Sequence, residues 1–468
     1  MRGKRSRKLR RALDVAYTSK PLSGWGGLLP MQRFMEAIKV RETLRMGLPD
    51  GRTSNNKVDV VDYAIQFLTS VLLGGAKFEH IERIRADEVI RELMQIKRSG
   101  SASSITRYFG NLTQGQSEHL HVVTSDLIFN HVRRLEPGDV VDLDSTVFTR
   151  YGDQQGSSKG YNPHARGERS HHPLLAMSAK TKLILHAWLR EGSASPHRGS
   201  IEFLQELLSR LPEAFRIRAL RADSGFYSRA FMDLLEERAI PYAIAAKMSQ
   251  GFTSWCRSRS EWHRVDDTTE VAEGFYKSPK TDTTRRIIVV RYTIRRQSEG
   301  MLFEVVDYEF RAIATSMTDD PASIYRFYQK RGDCENRIKE LKHDFNADKH
   351  CLNSFAGTEA AFRLICFLFN LVALFKSAVL KDTRVTLGTI RTKIFVIGAA
   401  IGHSARRTIL RLGLTRPWSE RFDLLLAAVD DFANSTAAQL IESDANPVFE
   451  PPSPWSYRRT PGLLFVPY

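Results

Sequence analysis

The order of strands and helices predicted between residues 136 and 249 constrains the fold of this chain more than any other feature. The run EPGDVVDLDST (136–146) passes from a Pro-Gly turn into a β-branched strand that ends in acids and hydroxyls. Two more strand-like runs follow, and after them helices and strands alternate. This order predicts a mixed sheet covered by helices. The elements after the first strand are strands 174–179 and 182–191, helix 201–211, strand 217–226, helix 228–240 and strand 241–247.

The same order is found in ribonuclease-H-like cores, and it sets the expected organisation of the whole chain. We assign residues 136–249 and 311–380 to an α/β core of that kind. Residues 250–310 are rich in Arg, Thr and Val and predict a mostly β insertion before the last helix of the core. The remaining regions, 1–135 and 381–468, are predicted to be helical, and the second ends in a Pro-rich tail.

The charge of the chain indicates a polyanionic partner. The 468 residues carry a net charge of +16 with a pI near 9.7, which favours nucleic acid first and an anionic membrane second. The most apolar run, 364–375, is too short to span a bilayer and predicts a buried core helix, so no membrane segment is expected. The four cysteines form no CxxC pair, which is typical of reduced thiols in a cytoplasmic protein and argues against zinc.

The N-terminal region is interpreted as DNA-binding. Seven of residues 2–11 are Lys or Arg, which fits an arm that contacts phosphates, and a solvated tail without a role explains it equally well. Residues 86–113 read as a helix, a Gly/Ser turn and a second helix with Thr106 and Arg107 near its start. That pattern resembles a helix-turn-helix, although simple helical hairpins are common.

Three carboxylates lie where strands of the predicted sheet end. Asp144 closes the first strand, Asp142 shares its face two residues earlier, and Asp223 ends the fourth strand at ADSGF (222–226). Functional groups gather at the carboxyl ends of strands in open α/β sheets. Neighbouring acids share a site only when a cation offsets their repulsion, and Mg²⁺ or Mn²⁺ suits oxygen ligands. A lone aspartate there could equally cap a turn.

A further acid, Glu335, lies in the segment YRFYQKRGDCENRIKELKHDF (325–345). If this segment is one helix, the following side chains share one narrow stripe: Tyr328, Arg331, Glu335 and Lys342, with Lys339 at its border. Asp320 and Pro321 predict the start of that helix. A solvated face with charge pairs is the alternative, but it gives no reason for the tyrosine. A carboxylate surrounded by phosphate-binding donors accounts for all of them.

The spacing Y-x2-R-x3-E-x6-K resembles the Y-R-E-K motif of a large branch of bacterial insertion-sequence transposases of the DDE class. The DST at 144–146 resembles the first aspartate box of that family, and ADSGF at 222–226 resembles the second. The sequences GYNP (160–163) and HHPLLA (171–176), the second of which runs into the second strand, are similar to one of its insertion-sequence families. The resemblance covers about residues 138 to 375 and leaves both ends of the chain without a motif.

This resemblance implies a DNA transposase that binds terminal inverted repeats, cuts the ends of its element and joins them to target DNA. It implies a catalytic triad of Asp144, Asp223 and Glu335 that holds two Mg²⁺ ions, for which Mn²⁺ can substitute. Asp142 competes with Asp144 as the first ligand. Tyr328, Arg331, Lys339 and Lys342 would bind phosphates of double-stranded DNA, and a homodimer on paired ends is expected. The alternatives are a related nuclease that cuts without joining and a non-catalytic DNA-binding protein.

Some related enzymes cut through a DNA hairpin with a flipped base, which requires an aromatic platform. Trp255, Trp262 and Tyr308 in the insertion are candidates, although core packing explains each of them as well. Either His171 or His172 could approach the site, and a loop position without such a role is the alternative.

Overall fold

A computed structural model describes residues 16–51, 54, 56–132, 138–160, 162, 165–195, 197–212, 215–277, 283–296, 305–405 and 407–444. The predictions of a basic arm at 2–11 and of a Pro-rich tail at 447–468 lie outside the described residues.

Helices make up most of the N-terminal region, as the sequence predicts. Side-chain caps begin two of them: Asp59 accepts from Val61 N and Asp87 accepts from Ile90 N, both at 2.9 Å. After the short strand β1, Leu22–Ser23, the helices are α1 Leu29–Ala37, α2 Val40–Gly47, α3 Val60–Leu72, α4 Ile81–Ala86, α5 Glu88–Leu93, α6 Ala102–Gly110 and α7 Gln114–Val132.

A mixed sheet of nine strands forms the centre of the molecule, and helices pack around it. Strands β2, β8 and β9 are parallel, and the other pairs are antiparallel. The strand order is β10-β11-β12-β13-β9-β8-β2-β6-β7. In chain order the elements are β2 Asp139–Ser145, β3 Phe148–Arg150, β4 Ser158–Lys159, β5 Arg169–His171, β6 Leu174–Ser178, β7 Ile184–Trp188, α8 Ser200–Arg210, β8 Ile217–Ala222, α9 Arg229–Glu237, β9 Tyr242–Ala245, α10 Gln250–Arg257, β10 His263–Arg264, β11 Thr269–Lys277, β12 Thr284–Arg296 and β13 Val305–Thr315.

The strand and helix order predicted for residues 136–249 is confirmed. The predicted β character of residues 250–310 is also present, but these strands join the main sheet edge to edge instead of standing apart. Strand β13 pairs with β9 through Ile313 and Ala245, so the sheet continues without a gap. The domain boundaries themselves stay a prediction.

Two regions fold differently from the sequence prediction. The polar loop at 150–173 contributes to a second, three-stranded sheet in the order β3-β5-β4. The C-terminal region, predicted to be helical throughout, contains a β-hairpin, so that prediction is wrong for its residues. The hairpin consists of β14, Ala399–Ser404, and β15, Arg407–Leu412, and β14 also pairs with β1. Strand β1, which pairs with β14, is far away in sequence, and local patterns therefore do not reveal this sheet.

The segment predicted to be one helix is two helices, α11 Pro321–Gln329 and α12 Gly332–His343. Asp320 caps the first, as predicted, by accepting from Ser323 N at 2.9 Å. At the junction Arg331 N donates to Tyr328 O at 2.9 Å, a tight three-residue turn. Lys330 and Arg331 both keep helical dihedrals, so the chain turns there without leaving the helical region of backbone space.

The long helix α13, Phe355–Phe375, lies in the core and packs against α7 and β7. Together with the turn that follows it, up to Leu380, it is long and apolar enough to cross a membrane, but 78% of its most apolar window is buried inside the protein. The prediction of a buried core helix at 364–375 is confirmed. The remaining helices are α14 Leu387–Ile390 and α15 Trp418–Asp444.

Candidate active site

Parallel pairing of β2 with β8 places Asp144 and Asp223 next to each other at one edge of the sheet. Leu143 lies opposite Ala222 in the register, so the chain leaves both strands with an aspartate. Asp144 is 7% exposed, and its Oδ1 accepts from the Ser145 N–H at 2.8 Å. These contacts fix the direction of the first carboxylate.

Asp223 is held by the turn that follows its strand. Its Oδ1 accepts from the Gly225 N–H at 2.9 Å and caps a 3-10 turn at Ser224–Phe226. The second carboxylate is therefore fixed as well, and it is less buried than the first.

Helix α12 and the junction before it bring Arg331 and Glu335 to the same place. Arg331 Nη2 lies 2.9 Å from Asp144 Oδ2, and its Nη1 lies 3.0 Å from Glu335 Oε1. The Arg331 side chain is 9% exposed, whereas that of Glu335 is 54% exposed. A buried guanidinium thus bridges a fixed acid and an acid that is free to change its conformation.

The site carries more negative than positive charge. Burial raises the pKa of Asp144 to about 7; Arg331 opposes the rise, and the charges of Asp223 and Glu335 add to it. Burial works to lower the pKa of Arg331, but its acidic neighbours, Asp144 first, raise it above its usual value, so this group stays charged. Three carboxylates face one arginine here.

Tyr328, at the end of α11, lies in the field of the same groups. Burial raises its pKa, with Arg331 opposing and the three acids contributing, so the side chain is a neutral O–H donor at neutral pH. The predicted grouping of Tyr328, Arg331 and Glu335 therefore survives the break in the helix.

The two lysines of the predicted stripe lie farther along α12. Lys342 Nζ donates to Val147 O at 3.3 Å, three residues after Asp144, and burial lowers its pKa. Lys339 is exposed. These lysines flank the site without contacting its acids in the described contacts.

A second cluster of ions lies directly beneath the acids, and sequence reasoning missed it. Arg221 holds Asp142 with both ends of its guanidinium fork, at 2.7 and 2.9 Å, and both side chains are almost fully buried. Arg337 Nη2 approaches Asp142 at 3.7 Å. We call Asp142, Arg221 and Arg337 the buried ion layer. Asp142, the competing first ligand, is engaged in this layer.

The buried ion layer fastens the helices of the site to the sheet. Arg221 Nη1 donates to Phe327 O at 2.7 Å, one residue before Tyr328. Arg337 Nη1 donates to Ser178 O at 2.6 Å on β6. A signal was present in the sequence: Asp142 and Arg221 stand two residues before Asp144 and Asp223, and Arg337 stands two after Glu335.

The aromatic and histidine candidates are packed against other side chains of the protein. Trp255 stacks on Phe252, and Arg291 lies 4.1 Å from the ring of Trp262 and 4.7 Å from that of Tyr308. His171 is fully buried and accepts from Arg150 Nε at 3.0 Å.

The remaining two candidates from the sequence are His172 and the predicted helix-turn-helix, and their side chains or backbone bond to neighbouring residues. His172 is also buried, and its backbone N–H donates to Arg190 O at 3.0 Å. In the predicted helix-turn-helix, Arg107 is exposed and Thr106 Oγ1 bonds Ala102 O at 2.8 Å inside α6.

The donor set suits a hard divalent cation, but it is not a closed cage. Within the part of the chain that the structure describes, no group of three or more His, Cys, Asp or Glu side chains is arranged to enclose a metal ion. Two carboxylates at strand ends and a third on α12 match the preference of Mg²⁺ and Mn²⁺ for oxygen ligands. In this structure Arg331 contacts Asp144 Oδ2 and Glu335 Oε1, two of the oxygens that a cation would use.

Residues 5–434 match the family model described as transposase DDE domain group 1, and the chain belongs to this family. The resemblance to DDE-class transposases is thereby confirmed, while membership of the Y-R-E-K branch stays a prediction. Among solved structures, the chain is similar to a piggyBac transposase in a cryo-EM synaptic complex with hairpin DNA. That similarity has a TM-score of 0.44 and 11% identity and covers 81% of this chain and 82% of the other. No curated protein sequence matches the chain.

Proposed function

We propose that this protein is an insertion-sequence transposase of the Y-R-E-K branch, which cuts DNA at the ends of its element and joins them to target DNA. The observation that carries the proposal is the meeting of Asp144, Asp223 and Glu335 around Arg331. The family of the chain supports the reaction class.

The strand order supports a ribonuclease-H-like core. Strands β7-β6-β2-β8-β9 stand in the order third, second, first, fourth and fifth along the chain, leaving aside the short β3-β5-β4 sheet. The fourth and fifth run parallel to the first, and the second runs antiparallel to it. In this order β2 and β8 are neighbours, and Asp144 and Asp223 lie at adjacent strand ends.

Phosphoryl transfer requires positioned groups and charge stabilisation from the protein. Asp144 and Asp223 supply fixed oxygens, because backbone N–H groups orient both carboxylates. Glu335 supplies an adjustable one. Asp144, Asp223 and Glu335 would hold the divalent ions, two Mg²⁺ by expectation, with Mn²⁺ as a substitute. When bound, such ions supply Lewis-acid stabilisation at the reacting phosphate.

The cationic and hydroxyl groups around the acids would orient the DNA backbone. Tyr328 keeps its proton and can donate to a phosphate oxygen. Arg331, once released from Glu335, presents a planar fork to phosphate, and Lys342 and Lys339 add point charges along α12. The net charge of +16 is consistent with a double-stranded DNA partner. Terminal inverted repeats as the sites bound, and a homodimer that pairs two ends, complete the proposal.

The test uses DNA that carries the genomic flanks of the gene. Wild type, Asp223→Asn and the control Asp267→Asn are incubated with this DNA and Mg²⁺; Asp267 is 97% exposed and distant in sequence from the site. Cutting and joining by wild type and the control, both lost in Asp223→Asn, support the proposal. Cutting without joining favours the nuclease alternative. DNA binding without metal-dependent cutting would overturn both enzymatic functions.

A further inference from the structure

The C-terminal β-hairpin is a basic surface that the proposed active site does not use. We call β14 and β15 the basic ribbon. Residues 399–421 contain the following charged side chains: Arg406, Arg407, Arg411, Arg416, Arg421 and a single acid, Glu420. Glu420 lies 3.5 Å from Arg416. Among the described residues, no carboxylate pairs with Arg407 or Arg411.

One face of the basic ribbon anchors it to the body of the protein. Ala399 and Ile401 are 6% and 7% exposed, and Leu410 and Leu412 pack against the core. A Cβ at Gly26 would lie only 2.6 Å from Ala399 Cβ, so this face sits directly on the backbone there. The ribbon is therefore a fixed part of the fold.

The opposite face carries the arginines. Alternation puts Arg407 and Arg411 on one side of β15, opposite Ser404 and Ala400 of β14. On β14, Gly402 lies between Ala400 and Ser404 and has no side chain. A Cβ at this position would lie 2.3 Å from Arg411 Nη1. The guanidinium thus rests across the ribbon, and both arginines are exposed. This face therefore consists of small residues on β14 and of Arg407, Ile409 and Arg411 on β15, and its charge is positive.

The segment that leads into the basic ribbon is bonded to the residue after the helix that carries Glu335. Just before β14, Gly388 N donates to Asp344 Oδ2 at 2.8 Å, and Arg391 Nη2 donates to Asp344 O at 2.9 Å. Asp344 follows the last residue of α12, nine residues after Glu335, so the anchor lies about 14 Å along the axis. On its other side the ribbon contacts α5, the first helix of the predicted helix-turn-helix.

We propose that the basic ribbon binds the phosphate backbone of duplex DNA outside the cleavage site. Exposed guanidinium groups without internal partners bind phosphate at little desolvation cost. A two-stranded ribbon also fits the width of a DNA major groove. The choice of DNA as the occupant rests on the proposed function and on the complementary charge.

The test measures the salt dependence of binding to a random-sequence 40-base-pair duplex. The variants are Arg407→Gln with Arg411→Gln, the single Arg407→Gln, and the control Arg384→Gln, whose side chain is 91% exposed and pairs only locally with Asp382. The double variant is expected to lower the slope of log K against log salt by about two and to weaken binding about tenfold near 0.1 M salt. The single variant should lower the slope by about half as much, and the control should match wild type.

A slope in the double variant equal to that of wild type overturns the inference, whether or not wild type cuts DNA. If the slope is unchanged while sedimentation shows a lost dimer or new aggregation, the ribbon is a protein contact or a protected sheet edge, and the inference also fails. The proposed function is judged separately by metal-dependent cutting in wild type. The thermal midpoints of all variants confirm that each is folded.

Discussion

Two clusters of charge lie two residues apart along β2, and they differ in how completely their charges are paired. In the buried ion layer Asp142 receives two hydrogen bonds from Arg221 and the approach of Arg337. One step further along the strand, Asp144 shares Arg331 with Glu335 and faces Asp223. In the first cluster two arginines face one acid, whereas in the second three acids face one arginine.

The difference separates structural support from chemistry. A buried charge that is fully paired contributes to a defined arrangement, and the pair here links β2 and β8 to the ends of the site helices. A cluster with surplus negative charge is costly unless a cation joins it. Both clusters lie on β2 and β8. The buried ion layer therefore gives the cluster with excess negative charge a rigid base.

The largest expected effect is on catalysis, and it concerns the cluster of Asp144, Asp223 and Glu335. Glu335→Gln removes the adjustable oxygen donor while keeping the shape of the side chain, so we expect cutting to fall by about a thousandfold or more. The unfolding free energy should stay near that of wild type, because the side chain is half exposed. Single-turnover cleavage and thermal denaturation measure the two quantities. Near-normal cutting by this variant would show that Glu335 does not belong to the active site.

The second effect is on stability, in the buried ion layer. Asp142→Asn leaves Arg221 buried without its counter-charge, and we expect the free energy of unfolding to fall by about 3–5 kcal/mol. The matched control is Asp333→Asn, at the half-exposed end of the same network through Arg337, where the loss should stay within about 1 kcal/mol. Denaturant titration measures both. Equal losses in the two variants would mean that the layer is not the rigid base described above.

The third effect concerns metal response. Arg331→Met removes the internal cation that bridges Asp144 and Glu335, so the metal-free variant should melt below wild type. Added Mg²⁺ or Mn²⁺ should then raise its melting temperature more than it raises that of wild type, since the cation meets no competing arginine. Arg326→Met, exposed on α11, serves as the control. A metal-induced rise no larger than in wild type would contradict the competition between Arg331 and the metal.

The fourth effect is on the pH dependence of stability. The folded protein keeps the proton of Asp144 up to a pKa of about 7, whereas the unfolded chain loses it near the ordinary pKa of 3.8. The folded state therefore binds more protons in that window, and this carboxyl lowers stability as pH rises from about 4 to about 7. Melting curves of metal-free wild type and Asp144→Asn should diverge over that range, with wild type falling relative to the variant. Parallel curves would show that the carboxyl is ordinary.

The sequence could predict, for a physical reason, that these acids lie close together. Alternation and strand ends locate Asp144 and Asp223, because strand pairing brings neighbouring ends together. The predicted stripe from Tyr328 to Glu335 assumes one continuous helix, and that assumption is wrong. The grouping still holds, because Lys330 and Arg331 keep helical dihedrals through the junction.

The pairings between distant residues could not be read from local patterns, although the two-residue spacing of Asp142, Arg221 and Arg337 from the acids is visible in the sequence. The pairing of Asp142 with Arg221 requires the register of two strands that are 79 residues apart. The basic ribbon requires β1, whose Leu22 pairs with Ala400. Neither pairing leaves a local pattern that a window of residues would reveal.

The most direct test of the surplus of acids is anomalous diffraction from crystals soaked in Mn²⁺. The account predicts a manganese peak bounded by Asp144, Asp223 and Glu335, with the guanidinium of Arg331 turned away from Glu335, and no peak at Asp142. A site without manganese, in which Arg331 still bridges Asp144 and Glu335 at saturating metal, would contradict it.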